Sequence, residues 1–372
     1  MKQRTSTPIY QTISNELYAK IKAGEFSYDV PLCTEKSICE EYNVSRITAK
    51  RALNQLESMG VLYRKRGVGS FVAHPDKAGA HQASYASQGK SVYKTIALMI
   101  PFSISQGGIF KAIEVASDML ARYGCYFTLN IFKAGYQNEQ AMLELLKESN
   151  IDGIVYYPST ANMPVELLDQ FCEQDKPVII LDKPHKYPQY SSIVSDNHSG
   201  GALLTEHLIS YGHRNICYLS RFSTDEVFSI RDRYTGFSKS LHENRITGKP
   251  LFYQIDAPQE GVVDYPMLKH IINEWNRKGI SAVECENDEV AFHVHMCCQN
   301  LSVKIPEELS VTGFDNISWA TMGNTQITTV EQDFELIGEN IAELLLLPEY
   351  KPEHRVISVK LVPRNSTGPA RD

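Results

Sequence analysis

Nothing in this 372-residue sequence approaches the roughly 20 consecutive apolar residues that a bilayer span requires, so no membrane attachment is expected. The opening MKQRTSTPIY lacks the apolar stretch of a secretory signal, and the expected location is cytoplasmic. The eight cysteines form no CxxC and no paired framework, which argues against a disulfide scaffold and suits reduced, mostly buried thiols. Catalytic motifs are missing as well. There is no GxSxG, HExxH, Walker loop or GxGxxG, so the chain is expected not to be an enzyme and to need no cofactor or metal. The nearest approach to a metal site is HVHMCC at 293–298, where His293 and Cys297 stand four apart; it reads as the packed side of a helix. No internal repeat survives inspection.

Positive charge is scarce in the whole chain, which carries a net −7, but it is not scarce at the start. Residues 1–75 hold 11 Lys and Arg against 7 Asp and Glu, giving +4, and the remainder is left at −11. A basic head on an acidic body is what a DNA-binding module tethered to a module of another kind would show, because only the head must displace counterions from phosphates.

The head reads as helix, helix-turn-helix and basic hairpin. Between Pro8 and Ala23, Ile9, Ile13, Leu17 and Ile21 recur at helical spacing and Gly24 follows as a stop. Thr34 caps a second helix running to Tyr42, with Asn43 and Val44 as a tight turn. Ser45 caps a third, through Met59, with Ala49, Ala52, Leu53 and Leu56 inside and Arg46, Lys50, Arg51 and Gln55 outside. VLYRKRGVGSFVA then reads as two short strands joined at Gly67 and Gly69, the tip preceded by Arg64, Lys65 and Arg66. This is the winged helix-turn-helix order.

Residues 76–93 lose periodicity and fill with Ala, Ser, Gln, Gly and His, a linker composition. From Lys94 onward, apolar runs such as TIALMI, YFTLNIF, GIVYY, PVIIL, NICYL, SAVEC and LSVTGF alternate with helical segments. That alternation predicts parallel sheets covered on both faces. About 280 residues are too many for one such sheet, so the expected fold class is α/β, with a two-lobe doubly wound body behind the winged helix-turn-helix. Ligands of such sheets bind beyond the carboxyl ends of the strands, here in the cleft between lobes.

The stretch from Pro8 to Val72, PIYQTISNELYAKIKAGEF followed by PLCTEKSICEEYNVSRITAKRALNQLESMGVLYRKRGVGSFV, resembles the GntR family throughout. The resemblance implies operator DNA as partner and contact by Thr34, Glu35, Ser45, Arg46, Thr48, Lys50, Arg66, Gly67 and Gly69. Cys33 stands where that family usually has proline and Lys50 where it usually has arginine; a lysine lacks the planar fork that reads guanine.

In the body, DNHSGGALLTEHLISYGHRNICYL, SIRDRYTGFSKSL, ENDEVAF, IPEELSVTGFDN, TQITTVEQDFELIGENIAELL and PRNST resemble in order the LacI and ribose-binding-protein family, a periplasmic-binding-protein-like fold. That likeness divides the body into lobe 1, about 94–211 and 333–360, and lobe 2, about 212–332 and 361–372. It implies a small-molecule sugar effector, held by Arg233, Asn287 and Asp315, with Phe334, Phe102, Phe110 and Trp319 as aromatic walls and Asp196 and Arg231 as further contacts. The combination of head and body resembles the arabinose-responsive repressors of Gram-positive bacteria. It implies a homodimer that represses sugar-utilisation genes and leaves its operator on binding L-arabinose, another pentose, a hexose or a short oligosaccharide. A ligand that tightens DNA binding, or an activator, is the alternative.

Overall fold

The computed structural model describes residues 9–22, 26, 31–58, 61–65, 69–72, 94–101, 107–159, 162–183, 187–246, 248, 250–255 and 263–371. The chain divides into two compact units, 1–92 and 93–372. The linker expected over 76–93 lies outside the described residues.

In the first unit, helix α1 (Ile9–Lys22) buries Ile13 and Leu17, four apart on one face. Strand β1 (Pro31–Cys33) precedes α2 (Glu35–Tyr42) and α3 (Arg46–Ser58), and β2 (Leu62–Lys65) and β3 (Gly69–Val72) complete an antiparallel sheet of order β1-β3-β2. Ala49 and Ala52 are fully buried where α3 lies against α1 and α2, and Ile38, Leu53, Leu56, Leu62 and Val72 close the core. Asn43 takes a φ of 49°, a left-handed position that asparagine tolerates, and so ends α2 and starts the turn into α3.

The second unit holds two six-stranded sheets. Lobe 1 runs from β4 (Lys94–Ile100), α4 (Ile109–Ala121), β5 (Cys125–Ile131) and α5 (Tyr136–Lys147) to β6 (Gly153–Tyr156), α6 (Val165–Cys172), β7 (Val178–Leu181) and β8 (Ser191–Ser195). Lobe 2 holds α7 (Asn197–Ser210), β9 (Ile216–Ser220), α8 (Phe228–Glu243), β10 (Leu251–Gln254), α9 (Tyr265–Lys278), β11 (Ala282–Cys285), α10 (Asp288–Leu301), β12 (Ser310–Asp315) and β13 (Thr328–Glu331). The chain returns to lobe 1 for α11 (Phe334–Leu345) and β14 (His354–Ile357), then to lobe 2 for β15 (Lys360–Val362). The sheet orders are β14-β8-β7-β6-β4-β5 and β10-β9-β11-β12-β13-β15, parallel except where β15 meets β13. The central strands β4, β6, β7, β9, β11 and β12 are almost continuously buried because both faces are covered, and all but β12 are mostly apolar.

One boundary moves. Helix α7 belongs to lobe 2, not to the lobe 1 expected to extend to 211. Leu208 packs with Ile216, Tyr218 and Phe237, and Leu204 packs with Phe314 and Val330, all lobe 2 residues. The lobes are therefore joined at Ser195–Asn197, Gln332–Asp333 and between Ile357 and Lys360. Helices α7 and α8 touch backbone to backbone: a Cβ on Gly201 would fall 2.1 Å from the Arg233 carbonyl oxygen, and one on Gly236 would fall 2.1 Å from that of His198. Only glycine permits this approach, and it sets the height of α8 above the sheet.

Candidate functional site

In the head, Thr34 caps α2: its hydroxyl accepts the Ser37 N–H at 3.1 Å and the Ser37 hydroxyl accepts the Thr34 N–H at 2.9 Å, a capping box. Glu35 is the first residue of that helix. Ser45 plays the same part for α3, its hydroxyl oxygen accepting the Thr48 N–H at 3.2 Å with the Thr48 hydroxyl at 2.9 Å. Arg46 and Lys50, one turn apart, are exposed along α3, while Arg51 lies over the Tyr10 ring of α1 at 4.7 Å. The helix thus offers a hydroxyl-and-cation face opposite its alanine-and-leucine stripe. Gly69 opens β3; Arg66 and Gly67 lie outside the described residues.

In the second unit a cavity of about 500 Å³ opens between the lobes. Residues just beyond the carboxyl ends of β4, β6, β7, β9 and β11, and the last residue of β12, line it, as the strand-end rule predicts. Arg233 on α8 is its best-anchored member. Its side chain is 7% exposed, with the guanidinium 3.6 Å from the centroid of the Phe314 ring. Nε donates to Asn197 Oδ1 at 2.8 Å, Nη1 to the Glu286 carbonyl at 2.5 Å, and Nη2 lies 3.5 Å from Asp315 Oδ1. A buried guanidinium with three acceptors is compensated for the water it lost, and its fork is held in one plane.

Asp315 ends β12 with φ 107°, and Asn316 follows at φ 55°, so two left-handed residues turn the chain across the cavity floor. Burial pushes the Asp315 carboxyl up to about 6, against the pull of Arg233 and of the Gln332 amide that donates to it at 2.6 Å. Asn287 lines the cavity and caps α10 by accepting the Val290 N–H through Oδ1 at 2.9 Å. Across the cleft, Asp182 (φ 58°) accepts the Tyr157 hydroxyl at 2.8 Å and, from lobe 2, the Ser229 hydroxyl at 3.1 Å. Lys183 is buried 3.8 Å from Asp182, and burial lowers its pKa. Arg221 is held by Glu286 at 2.7 Å and Glu289 at 2.9 Å.

The structure brings Arg233, Asn287, Asp315, Phe334 and Trp319 together around this cavity. It does not bring in three others. Arg231 is 46% exposed, stacked over Phe228 and beside Asp232, because it sits on the outer side of α8. Asp196 caps α7 by accepting the Ser199 N–H. Phe110 packs against the lobe 1 core. Phe102 lies outside the described residues. Sequence reading missed Tyr157, Asp182, Lys183, Arg221, Glu286, Glu289 and Gln332, although most directly follow apolar strand runs, the same signal that marked Asn287. His293 shares a 2.6 Å hydrogen bond with Tyr265 and Cys297 is buried in the lobe 2 core. Among the described residues no cluster of three potential metal ligands occurs, and no helix is long and apolar enough to cross a membrane.

Comparison with known proteins agrees with both units. Residues 9–72 match the bacterial regulatory proteins of the gntR family, and residues 205–367 match the periplasmic binding protein-like domain. The chain is 25% identical over 375 residues to an arabinose metabolism transcriptional repressor of Halalkalibacterium halodurans, spanning 97% of each chain. It is 30% identical over 237 residues to the HTH-type transcriptional repressor PurR of Vibrio vulnificus, covering 62% of this chain and 69% of that one. A solved LacI family transcriptional regulator from Enterococcus faecium with bound ribose aligns at a TM-score of 0.63 and 23% identity, over 75% of this chain and 100% of that one, a likeness of fold. The chain belongs to the transcription regulators that join a GntR-type DNA-binding domain to a periplasmic-binding-protein-like domain.

Proposed function

We propose that the protein is a repressor of sugar-utilisation genes, acting as a cytoplasmic homodimer, that leaves its operator when an uncharged sugar occupies the cavity between the lobes, with L-arabinose the first candidate. The observation that carries the reading is the charge balance of the cavity. Its cations Lys183, Arg221 and Arg233 each face a carboxylate, from Asp182, from Glu286 and Glu289, and from Asp315. Among the described lining residues no surplus positive charge remains for a phosphate, whereas paired donors and acceptors between the aromatic walls Trp319 and Phe334 suit hydroxyls and an apolar sugar face. The full-length relative that is an arabinose metabolism repressor supports the choice of pentose.

A sugar that binds the closed cleft more tightly than the open one shifts the lobes by its differential affinity, and the head responds through them. The test is a thermal-shift series with L-arabinose, D-xylose, D-ribose, D-glucose, cellobiose and a sugar phosphate, followed by gel shifts on promoter fragments with the hit. A neutral sugar at a hundred times its Kd is expected to add about 2.7 kcal/mol of stability and to release DNA. Stabilisation by the phosphate alone, or tighter DNA binding with the sugar, would overturn the reading.

A further inference from the structure

Five residues form a closed ring, four links between side chains and the last to a main-chain carbonyl, that joins the cavity to the places where the chain crosses between lobes. The Ser195 hydroxyl donates to Gln332 Oε1 at 2.5 Å, and Gln332 Nε2 donates to Asp315 Oδ1 at 2.6 Å. Asp315 faces Arg233 at 3.5 Å, and Arg233 Nε donates to Asn197 Oδ1 at 2.8 Å. Asn197 Nδ2 returns to the Ser195 carbonyl at 3.1 Å and closes the circuit. Ser195 and Asn197 lie on the first crossing and Gln332 on the second. The third is tied in by the backbone, through the Asp196 N–H donating to the Ile357 carbonyl at 2.8 Å.

Four of the five ring members line the cavity; Asn197 does not. It is 5% exposed, and its amide spends its acceptor on the cavity arginine and a donor on the crossing. We propose that Asn197 is a positioning residue that locks the Arg233 clamp to the lobe crossings, so that a ligand pulling on Arg233 and Asp315 turns the lobes rather than merely the side chains. The inference rests on the reading of this cavity as a sugar site. A carboxamide suits this role because it presents one acceptor and one donor on a single rigid plane. Without it, clamp and crossing would move independently, and occupancy would not be transmitted.

Asn197→Asp separates the two halves of the role. The carboxylate still accepts from Arg233 but has no N–H for the Ser195 carbonyl. In the full-length protein without sugar, hydrogen exchange at the Asp196 amide is expected to accelerate at least about tenfold, with exchange in the β9 and β11 amides unaltered. With L-arabinose, calorimetric affinity is expected to fall by no more than about threefold, while the compaction seen by small-angle scattering falls by more than about half. Asn197→Leu removes both contacts and is expected to lose affinity as well; if it does not fold, Asn197→Asp decides. Exchange at the crossing equal to the unaltered protein overturns the proposal, as does full compaction in Asn197→Asp. Failure of the unaltered protein to bind L-arabinose rejects the pentose reading instead, and the sugar-free exchange result then decides the role of Asn197.

Discussion

Two aspartates show how the same residue type is put to different uses within 30 residues of sequence. Asp315 faces Arg233 and the cavity. Asp288 lies behind it, fully buried, accepting the Thr329 hydroxyl at 2.5 Å and the Ile317 N–H at 2.9 Å, and so holds the turn that carries Asp315. Burial, and then the nearby Asp315, push the Asp288 carboxyl up to about 8, outweighing those hydrogen bonds and the charge of Arg364. The unfolded chain releases this proton near pH ~3.9. Stability gained from the proton is therefore complete below that pH, declines above it and is gone once the pH has risen through about 8. Asp288→Asn should flatten this part of the profile: in urea titrations at pH 6, 7.5 and 9, the unaltered protein loses stability toward pH 9 and the variant loses less. Equal slopes would place the proton elsewhere.

At the scale of elements, the crossing of α7 and α8 governs where the clamp stands. Because Gly201 and Gly236 let the helices meet at backbone distance, Arg233 reaches Phe314 and the Glu286 carbonyl from its own helix. Gly236→Ala places a methyl 2.1 Å from the His198 oxygen, and separation of the helices is expected to cost about 1–3 kcal/mol in urea unfolding and to weaken sugar affinity with it. Unchanged stability would show that the pair is not in close contact. The helices were largely legible because their apolar period and caps are local. Strand β8 was not: its SSIVS pattern looks like a loop, and Ser191 and Ser192 are buried because Tyr350 and His354 bond their hydroxyls. Those partners come from more than 150 residues away, so no local window could announce them.

Across the whole molecule, function follows from the uneven distribution of charge. The +4 head meets phosphates, and the −11 body is repelled by them, so only the head is drawn to DNA. Arg46→Ala is expected to cost about 1–3 kcal/mol of specific binding and to relax base preference, read by fluorescence anisotropy on operator variants. The unaltered protein should lose about 10³–10⁵ in affinity between 50 and 200 mM salt if a dimer neutralises six to ten phosphates. A flat salt response would exclude the phosphate-borne mode.

The family resemblance singled out Arg233, Asn287 and Asp315, the last two also because they follow strand-like runs, while the winged helix and the doubly wound body could be read from order along the chain, since periodicity and capping are short-range properties. The lobe to which α7 belongs, the exclusion of Arg231 from the cavity and the ring through Asn197 could not. Each depends on which surfaces meet after the chain has crossed between lobes three times, and such meetings join residues whose separation in sequence leaves no pattern to read.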